Sequence, residues 1–361
     1  FSRYDINFER KLIMLKFARK CFNKLRLFVL YFRRILFAKN NFKCSFFTKL
    51  RANIFGGYLA DQWILYDFKH NDKKEYLSEF DWYRSRYINE PFDYLLNNKI
   101  ACNEVLQQYV TVPKIYAMKR DRLLFDFSNS NMTYEQVYEI IKHHSPLFIK
   151  PYAKGKGNGV FRLDYKNGCP CIDEKQVSYD DMIAFLKKQE DWMICQAMSQ
   201  HSYSSQIYDK TVNTIRLITL RDPKTDEFKI FFAVHRIGTK ETIPVDNGSR
   251  GGLVSKIDLE TGTLSEARCL HNLDVHKVHP DSGAPIEGVR IPDWDNLKER
   301  MLRLAKKLPY MYFVAWDILI TPDDFCIIEA NTSSGVNIIQ LWGGQRNGEL
   351  GDFYRHHKVI K

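Results

Sequence analysis

The sequence predicts an α+β protein with a basic helical extension at its N-terminus. Residues 8–39 repeat apolar side chains at steps of three and four, which is the spacing of an amphipathic helix. From Val112 onward, short β-rich runs alternate with Gly, Pro and Asp turns, and helical stretches at 178–190 and 293–308 interrupt them. At 361 residues, 45% of them hydrophobic, the chain can bury a core for one large or two moderate domains.

Nearly all of the positive charge lies in the N-terminal arm. The whole chain has a net charge of +11, yet residues 1–51 contain fourteen Lys or Arg against two acidic residues, and the rest of the chain sums to −1. A nucleic-acid-binding body would carry its own basic stripe, so we expect no nucleic acid partner. The arm is suited to an anionic membrane surface or an acidic partner. The alternative is an amphipathic helix that packs on the body or on another subunit.

The cysteines do not form a recognisable framework. Eight are scattered through the chain, and only Cys169 and Cys171 are close, on either side of Pro170. A single C-x-C pair is a weak zinc motif, and a reduced hairpin turn explains it better. We therefore expect a cytoplasmic protein, with the arm placed on the inner face of the membrane if it binds lipid. Because the sequence opens on Phe1 rather than Met, a preceding targeting segment stays open.

The middle and C-terminal parts of the chain differ in their predicted secondary structure. Residues 56–110 are rich in aromatic side chains and poor in turn signals, which predicts a helical cap. Beyond the cap, strands are predicted at 147–150, 160–163, 214–220, 228–234, 253–258, 313–320 and 325–329.

The last predicted hairpin carries three oxygen-bearing side chains. Asp317 lies in its first strand, and Glu329 and Asn331 end its second, two residues apart and therefore on one face. Simple register would place Asp317 on that face as well. Two carboxylates and an amide on a rigid sheet suit Mg²⁺, which keeps some waters and takes phosphate oxygens as its other ligands. The alternative is one solvent-facing acid and an asparagine that caps the following turn.

A glycine-dense loop follows the predicted strand that ends in Lys150. Gly155, Gly157 and Gly159 would let backbone N–H groups approach phosphate oxygens. Lys150 supplies a point charge, and Lys154 opens the loop. No Gly-Lys-Ser/Thr opens a helix here, so this is not a Walker loop. Taken alone, the segment is explained equally well as a mobile hairpin.

Three arginines lie on or near apolar strands. Arg216 and Arg236 sit among apolar neighbours, and Arg250 follows in a glycine-rich run that also contains Asn247. An arginine in such a place must find an anion, and the phosphate or carboxylate of a substrate matches its planar fork. An internal salt bridge to Asp or Glu is the alternative for each arginine. We expect His235, next to Arg236, to be a core histidine with its hydrogen bonds satisfied.

Together these elements resemble the ATP-grasp superfamily, in which two α+β lobes hold ATP. Glu329–Gly335, EANTSSG, is similar to the metal-binding end of that fold, and Lys150 with its loop is similar to the phosphate-binding segment. Within the superfamily the sequence looks most like the sugar-transfer-associated ATP-grasp proteins, over about residues 95–345. The motifs that carry this likeness are VNTIRLITL (212–220), GGLVSKIDLETG (251–262), HPDSGAPIEG (279–288) and AWDILIT with IEANTSSGVNIIQ (315–340).

The resemblance implies binding residues for ATP and for Mg²⁺, most simply two ions. Asp317, Glu329 and Asn331 would bind the metal. Lys99 would be the second nucleotide lysine, with Lys114 as its rival. The residues that would bind the nucleotide are Lys99, Lys150, Lys154, Gly155, Gly157, Gly159, Gln196, Ala197, Met198 and Asn247. Gln196 stands where a glutamate is common in the family.

The arginines follow the R…R…N…R-G-G order of the ribosomal-protein glutamate ligases, and the nucleotide site also resembles that of the D-alanine–D-alanine ligases. In this likeness Arg216, Arg236 and Arg250 are the catalytic arginines. Many ligases of the superfamily carry an arginine two residues before the magnesium aspartate, where this chain has Ala315. We expect Arg236 or Arg250 to take that role.

The resemblance also implies a division of the chain. Its parts would be a basic helical arm (1–55), a helical cap (56–111), an ATP-grasp lid lobe with the glycine loop (112–198), a C-terminal lobe with the metal site (199–345) and a tail (346–361).

The implied activity is ATP-dependent joining of a carboxylate to an amine through an acyl phosphate. The resemblance points to surface-polysaccharide assembly (capsule, exopolysaccharide or O-antigen), with a uronic acid or an amino acid as the carboxylate substrate. The basic arm would then contact the membrane or a glycan-assembly partner. One alternative is a kinase that phosphorylates a sugar hydroxyl on the same fold. A nucleotide-binding interaction module without activity is disfavoured by the complete set of metal ligands.

Overall fold

The computed structural model describes residues 21–54, 56–128, 130–152 and 159–361, together with Met14 and Ala18. The chain forms two compact units. The first unit combines the N-terminal part of the chain, up to Tyr87, with Gly335–Lys361, and the second unit is Ile88–Ser334. The helical cap expected at 56–111 is thus divided between the units, and the lobe boundary expected at 198 falls inside the second.

The helices lie mainly in the first unit and around the sheets of the second. They are α1 (21–31), α2 (Phe46–Ile54), α3 (Ala60–Leu65), α4 (Glu79–Ser85), α5 (Asp93–Asn97), α6 (Lys99–Leu106), α7 (Tyr134–His144), α8 (Tyr179–Lys188), α9 (Ser202–Ile207), α10 (Trp294–Lys307), α11 (Val336–Ile339) and α12 (Glu349–His356). A π-helical turn, Phe32–Leu36, follows α1. Among the described helices, none has both the length and the apolar character needed to span a membrane.

The strands form two antiparallel sheets in the second unit. They are β1 (Ile115–Arg120), β2 (Leu123–Phe125), β3 (Leu147–Lys150), β4 (Phe161–Lys166), β5 (Cys169–Ile172), β6 (Lys175–Gln176), β7 (Trp192–Gln196), β8 (Thr214–Arg221), β9 (Phe228–Ile237), β10 (Leu253–Ile257), β11 (Leu264–Cys269), β12 (Val275–His276), β13 (Phe313–Ile320) and β14 (Phe325–Asn331). The strand order is β2-β1-β7-β3-β4-β5-β6 in the first sheet and β12-β11-β10-β9-β8-β13-β14 in the second.

Aromatic packing and one glutamine stabilise the first unit. Tyr58, Tyr66 and Tyr76 are buried in a single cluster. Gln340, which is 1% exposed, accepts a hydrogen bond from the Leu77 backbone N at 2.7 Å and donates one to the Leu77 backbone O at 2.9 Å. Because both bonds are buried, Gln340 takes the place of a strand partner for Leu77.

The C-terminal segment is part of the core of the first unit. The tail expected at 346–361 contains helix α12, whose Leu350 and Phe353 side chains are fully buried. Arg346 donates to Asp81 at 3.1 Å, and Asp81 also caps helix α4 by accepting from the Ser78 backbone N at 2.9 Å. The capping pair of Ser78 and Asp81 explains why α4 begins where it does.

Each sheet of the second unit has one face covered by helices. Helices α7 and α8 pack Ile141 and Leu186 against Leu147 and Trp192 of the first sheet. Helix α10 packs Leu297, Met301 and Leu304 against the second sheet, in the same core as Leu217 and Trp316. Since side chains alternate along a strand, the opposite face of the second sheet is free to carry the polar residues of β8, β9, β13 and β14.

The strands and helices predicted from sequence agree closely with the structure. The strands at 147–150 and 313–320 have the predicted ends, and helices α8 and α10 lie within the predicted ranges. The N-terminal helix is confirmed over residues 21–36, and its predicted earlier part, apart from the helical residues Met14 and Ala18, lies outside the described residues.

One local prediction was wrong in position. The hairpin turn expected around Cys169 and Cys171 is formed instead by Asn167 and Gly168, which have φ values of 53° and 78°, and the two cysteines lie on strand β5. A left-handed conformation suits Asn and Gly and disfavours Cys, which explains the shift. All eight cysteines are free.

Asn89 connects the segment before α5 to the edge of the second sheet. Its side chain accepts from the Tyr312 and Phe313 backbone N atoms at 2.8 and 3.3 Å, and it donates to the Phe313 and Thr332 backbone O atoms at 2.6 and 3.2 Å. The side chain is 1% exposed, so water cannot replace these bonds.

We predict that Asn89→Ala lowers the free energy of unfolding by about 2–4 kcal/mol, because it leaves several buried backbone groups without partners. The matched control is Asn296→Ala, which removes one exposed bond to Asp293 and should change stability by less than about 0.5 kcal/mol. Denaturant unfolding of both variants measures the difference. Equal denaturation midpoints for the two variants would show that the hydrogen bonds of Asn89 do not stabilise the fold.

Candidate functional site

The three predicted metal ligands lie on one face of strands β13 and β14. Asp317 is the direct cross-strand partner of Glu329, and Ala315 pairs with Asn331 in the same ladder. Directly paired residues of an antiparallel ladder point to the same side of the sheet. The three side chains therefore share a face, as expected from the sequence, but an irregular register rather than simple pairing brings Asp317 opposite Glu329.

A β-bulge next to this pair separates the polar from the apolar side chains. Asp317 pairs with Glu329, but Ile318 pairs with Ile327, so β14 has one extra residue at this point. On a regular strand, Ile327 and Glu329 would face the same side. The bulge lets Ile327 lie in the apolar core, 1% exposed, while Glu329 faces the polar side.

Asp317 is held by two arginines from neighbouring strands. Arg216, its cross-strand partner on β8, donates to both carboxylate oxygens, one bond through Nε and the other through Nη2 at 2.9 Å. Arg236 on β9 donates to Asp317 Oδ2 at 2.9 Å and to Asp246 Oδ1 at 2.7 Å. Asp246 also accepts from the Thr214 backbone N at 2.8 Å. Carboxylates and guanidinium groups therefore alternate across three strands and the loop that carries Asp246.

The electrostatics of this network keep Asp317 ionised. Burial would raise the pKa of Asp317, but the charges and hydrogen bonds of Arg216 and Arg236 outweigh it and hold the pKa below its usual range. The pKa of the Arg236 guanidinium is raised, because Asp246 and Asp317 outweigh the burial that would lower it. Asp317 and Arg236 are therefore both charged at neutral pH, whereas burial raises the pKa of Asp246.

The arginines are engaged by side chains of the chain itself. Arg216 and Arg236 form the internal salt bridges that the sequence left as an alternative to substrate binding. Arg250, by contrast, is exposed at the end of the 3-10 turn Gly248–Arg250. The Arg250 backbone N donates to Asn247 O at 2.9 Å, which fixes the turn beside the buried Asn247 side chain.

Glycine is required in the run that follows Arg250. Gly251 has a φ of +102°. A Cβ on Gly252 would lie 2.9 Å from the carbonyl carbon and oxygen of Asn247. Any larger residue at either position would therefore push the Arg250 turn out of place.

A narrow cleft in the second unit brings together the nucleotide lysines and Glu329. Lys99 comes from the first turn of α6, Lys150 from the end of β3, Met193 from β7 and Glu329 from β14, and all four line the cleft. Lys99 Nζ lies 3.4 Å from Glu329 Oε1. Lys150 is 9% exposed and pairs with Met193 across the ladder. Positive charges from two elements thus face the carboxylate of a third.

Local caps explain the position of Lys99. The Asn98 side chain accepts from the Ile100 and Ala101 backbone N atoms at 3.0 and 3.2 Å, so α6 starts at Lys99. Lys114, the rival lysine, is exposed and lies 4.9 Å from the centroid of the Tyr116 ring. The geometry favours Lys99 as the lysine that faces the cleft.

The nucleotide-binding segment expected at 196–198 begins at the last residue of β7, the strand that supplies Met193. The Gln196 backbone N donates to Lys114 O at 2.9 Å, and the Ala197 backbone N donates to Pro146 O at 3.2 Å. Gln196 is exposed, while Ala197 and Met198 are half-buried.

Only the end of the glycine loop is described. Lys154, Gly155 and Gly157 lie outside the described residues. Gly159 has a φ of +74°, a conformation that favours glycine, and it leads into β4.

His235 is a core histidine, as predicted. It is 0% exposed, its Nδ1 donates to the Arg236 backbone O at 3.2 Å, and its Nε2 lies 2.9 Å from Tyr203 Oη. Burial lowers the pKa of His235 to about 4, so the ring is neutral.

The model of the sugar-transfer associated ATP-grasp family matches residues 80–348. This chain belongs to that family. The match covers the whole of the second unit, together with residues 80–87 and 335–348 of the first. It confirms the predicted ATP-grasp resemblance and fold class.

Solved structures of other ATP-grasp proteins resemble this family member more distantly. The ligase PsnB with precursor peptide PsnA2 and AMPPNP is 13% identical, with a TM-score of 0.40, and the match covers 75% of this chain and 61% of that one. N5-carboxyaminoimidazole ribonucleotide synthetase (purK) with ADP is 13% identical, with a TM-score of 0.39 and coverage of 66% and 45%. The D-alanine-D-alanine ligase from Coxiella burnetii is 10% identical, with a TM-score of 0.37 and coverage of 67% and 49%. The match thus spans about half the length of such structures. No curated protein matches the chain.

The donor set on β13 and β14 fits a magnesium ion held partly by phosphate. In the described part of the chain, no group of three or more His, Cys, Asp or Glu side chains is arranged to hold a metal. Asp317 already accepts three N–H bonds, and a carboxylate offers about four lone-pair sites. Mg²⁺ in nucleotide sites commonly uses one or two carboxylates, with phosphates and waters as the other ligands. Glu329, with Asn331 beside it and part of Asp317, meets that requirement.

Two residues of the network had no role in the sequence-based prediction. Asp246 accepts from Arg236, Thr214 donates to Asp246, and neither residue matches a motif for metal or phosphate binding. One signal in the sequence could have indicated Asp246, which is an acid beside Asn247 at the end of an apolar stretch. A buried arginine needs an anionic partner, and an acid in such a place is a candidate.

We predict that Asp317→Asn lowers the free energy of unfolding by about 3–5 kcal/mol at pH 7, because two arginines are left without their carboxylate. Since the folded pKa of Asp317 lies below the unfolded value of about 3.9, its contribution is present above that pH and is lost as the pH falls further. The difference in the free energy of unfolding between wild type and Asp317→Asn should therefore become smaller below about pH 4. Urea unfolding across pH, with exposed Asp323→Asn as control, measures it. A difference in unfolding free energy that stays constant down to pH 2 would show that the ionised Asp317 carboxylate is not the source of the stability.

Proposed function

We propose that this chain is an ATP-dependent carboxylate–amine ligase that forms an amide through an acyl phosphate. One observation carries the proposal: Lys99, Lys150 and Glu329, from three separate elements, line one cleft beside the Asp317 network. Family membership supports an ATP-grasp nucleotide site at this position.

The nucleotide would lie in this cleft. Lys99 and Lys150, with the loop from Lys154 to Gly159, would bind its phosphates, and Gln196–Met198 with Asn247 would complete the site. Glu329, Asn331 and Asp317 would hold Mg²⁺, most simply two ions, which neutralise phosphate oxygens and so lower the barrier to phosphoryl transfer.

The charges support a site that accepts MgATP rather than a free anion. Arg216 and Arg236 are balanced by Asp317 and Asp246, whereas Lys99 and Lys150 line the cleft together with Glu329. We therefore assign Arg216 and Arg236 to positioning Asp317. Arg250, exposed at the end of its 3-10 turn, is the arginine that we place on the acyl phosphate.

The reaction has two steps. The substrate carboxylate attacks the γ-phosphorus of ATP, ADP leaves, and an acyl phosphate forms. The amine then attacks the acyl carbon, the C–O bond breaks and phosphate leaves. The lysines stabilise the charge that moves onto ADP, and Arg250 stabilises the phosphate in both steps.

For the substrate, we propose a uronic acid joined to an amino acid or another amine in surface-polysaccharide synthesis, such as that of capsule, exopolysaccharide or O-antigen. The family description, sugar-transfer associated, supports a sugar as one reactant. We propose that the arm of +12 charge places the enzyme at the inner face of an anionic membrane, where lipid-linked glycans are assembled.

A kinase that phosphorylates a sugar hydroxyl is the second candidate. It is favoured by the same arginine network: Arg216 and Arg236 were the residues expected to hold an anionic acid, and both are bound to carboxylates of the chain. A hydroxyl substrate would need no such arginine pair.

Trapping separates the two functions. We expect that ATP, Mg²⁺ and one acid from a panel of uronic and amino acids yield a hydroxamate when hydroxylamine is present, because hydroxylamine intercepts an acyl phosphate. With the correct amine, ADP and free phosphate should appear in step with an amide. An alkali-stable phosphorylated sugar with no free phosphate would establish the kinase instead.

We predict that Glu329→Gln lowers turnover at least ~100-fold and leaves the fold intact, since it removes the more exposed metal carboxylate without changing its shape. Glu260→Gln, an exposed substitution of the same type in a turn, is the matched control and should retain wild-type turnover. ADP release is measured for both proteins. Unchanged turnover in a folded Glu329→Gln variant would show that Glu329 is not a metal ligand in catalysis.

A further inference from the structure

Helix α1 of the first unit has two apolar faces, and its inner face is covered. Ile35, in the π-helical turn that extends α1, is 2% exposed. Tyr31 donates a hydrogen bond to the Asn53 backbone O, and its ring lies edge-on to Phe80 with the centroids 5.3 Å apart. The helix is therefore a folded part of the first unit, and its outward face has a defined position.

The outer face of α1 is apolar and exposed to solvent. Phe22, Leu25, Val29 and Phe32 follow one another at steps of three, four and three residues, which places them on one side of a helix. Phe28 adjoins them, with its ring centroid 4.7 Å from that of Phe32. These five side chains are between 39% and 65% exposed. We call them the arm face.

The next segment of the first unit exposes further aromatic side chains. Phe37, Phe46 and Phe47 are between 72% and 75% exposed. The connection before α2 is held in place by Asp61, which accepts from the Asn41 backbone N at 3.1 and 2.9 Å. Exposed rings on a fixed backbone, rather than on a loose loop, are typical of a surface that meets a partner.

The surroundings of the arm face are strongly positive. Lys24, Arg26, Arg33 and Arg34 are all exposed beside it. The sequence contains no Asp or Glu between residues 10 and 60. A surface that combines exposed Phe and Leu with exposed Lys and Arg is complementary to an anionic lipid bilayer, whose headgroups meet the cations and whose acyl boundary takes the rings.

We propose that the arm face is a membrane-insertion surface, with Phe22, Leu25 and Phe28 in the acyl boundary of an anionic leaflet. This rests on the membrane placement in the proposed function and extends it. The arm would be a docking face held at a fixed orientation by Tyr31 and Ile35, rather than a flexible electrostatic tether. A second copy of the chain is a poorer occupant, because it would bring two arms of +12 charge together.

The test compares two sets of substitutions in the full chain. Phe22→Ser, Leu25→Ser and Phe28→Ser together remove apolar area from the arm face and keep every charge. The control combines Leu123→Ser, Leu273→Ser and Val275→Ser, which remove similarly exposed apolar side chains from the second unit. Both are mixed with vesicles of phosphatidylglycerol and phosphatidylcholine, and with vesicles of phosphatidylcholine alone.

We expect the wild type and the control to bind the anionic vesicles, and the arm-face variant to bind at least ~10-fold more weakly, since binding scales with the apolar area that enters the bilayer. Binding should weaken as salt rises, because the cations contribute as well. Wild-type affinity in the arm-face variant would overturn insertion. The insertion proposal would also be wrong if the wild type did not bind vesicles. It would be wrong as well if the wild type formed a dimer that the three arm-face substitutions dissociate.

A second measurement reads insertion directly and does not depend on the triple variant folding. Phe28→Trp adds one tryptophan to the arm face, and lipids with brominated acyl chains should quench the fluorescence of that tryptophan. The tryptophan of Leu123→Trp, on the second unit, should show no such quenching. An unquenched Trp at position 28 in vesicle-bound protein would contradict insertion. Ligase turnover with soluble acid and amine does not enter either assay, so the failure of one proposal is distinguishable from the failure of the other.

Discussion

The arrangement of the site depends on a buried aspartate shared by two arginines. Asp317, 6% exposed, accepts from Arg216 on one neighbouring strand and from Arg236 on the strand beyond it. Such a group must be paired with good geometry, because an isolated buried charge costs several kcal/mol. The pairing fixes the register of β9, β8 and β13, and the bulge in β14 then turns Glu329 to the same face. The rest of the site is built around this fixed charge.

The network also divides the work among the positively charged residues. Two arginines are used to hold Asp317, with Asp246 completing the balance, so they stabilise the sheet that carries the metal ligands. The lysines at 99 and 150 come from outside this sheet and face Glu329 across a narrow cleft. A rigid carboxylate sheet that faces lysines on another element suits phosphoryl transfer, in which little covalent chemistry falls to the protein and positioning decides the rate.

The sequence predicted what local patterns and specific motifs determine, and it could not predict the contacts set by strand order. The hairpin that carries Asp317 and Glu329 was predictable because its strands are adjacent in sequence and its apolar positions alternate. The pairing of Arg216 with Asp317 was open, since it joins residues far apart in sequence through the neighbouring positions of β8 and β13. The exposure of the arm face was equally hidden, because Phe28 and Ile35 are similar apolar residues in the sequence, yet Ile35 is 2% exposed and Phe28 is 60% exposed.

The central claim is that a carboxylate is activated by transfer of a phosphoryl group to one of its oxygens. It is tested most directly by supplying the acid with oxygen-18 in its carboxylate and analysing the phosphate released with the amide. If an acyl phosphate forms, each turnover moves one labelled oxygen from the acid into inorganic phosphate. Phosphate that carries no label, or a label that stays entirely in the organic product, would contradict the ligase mechanism on this fold.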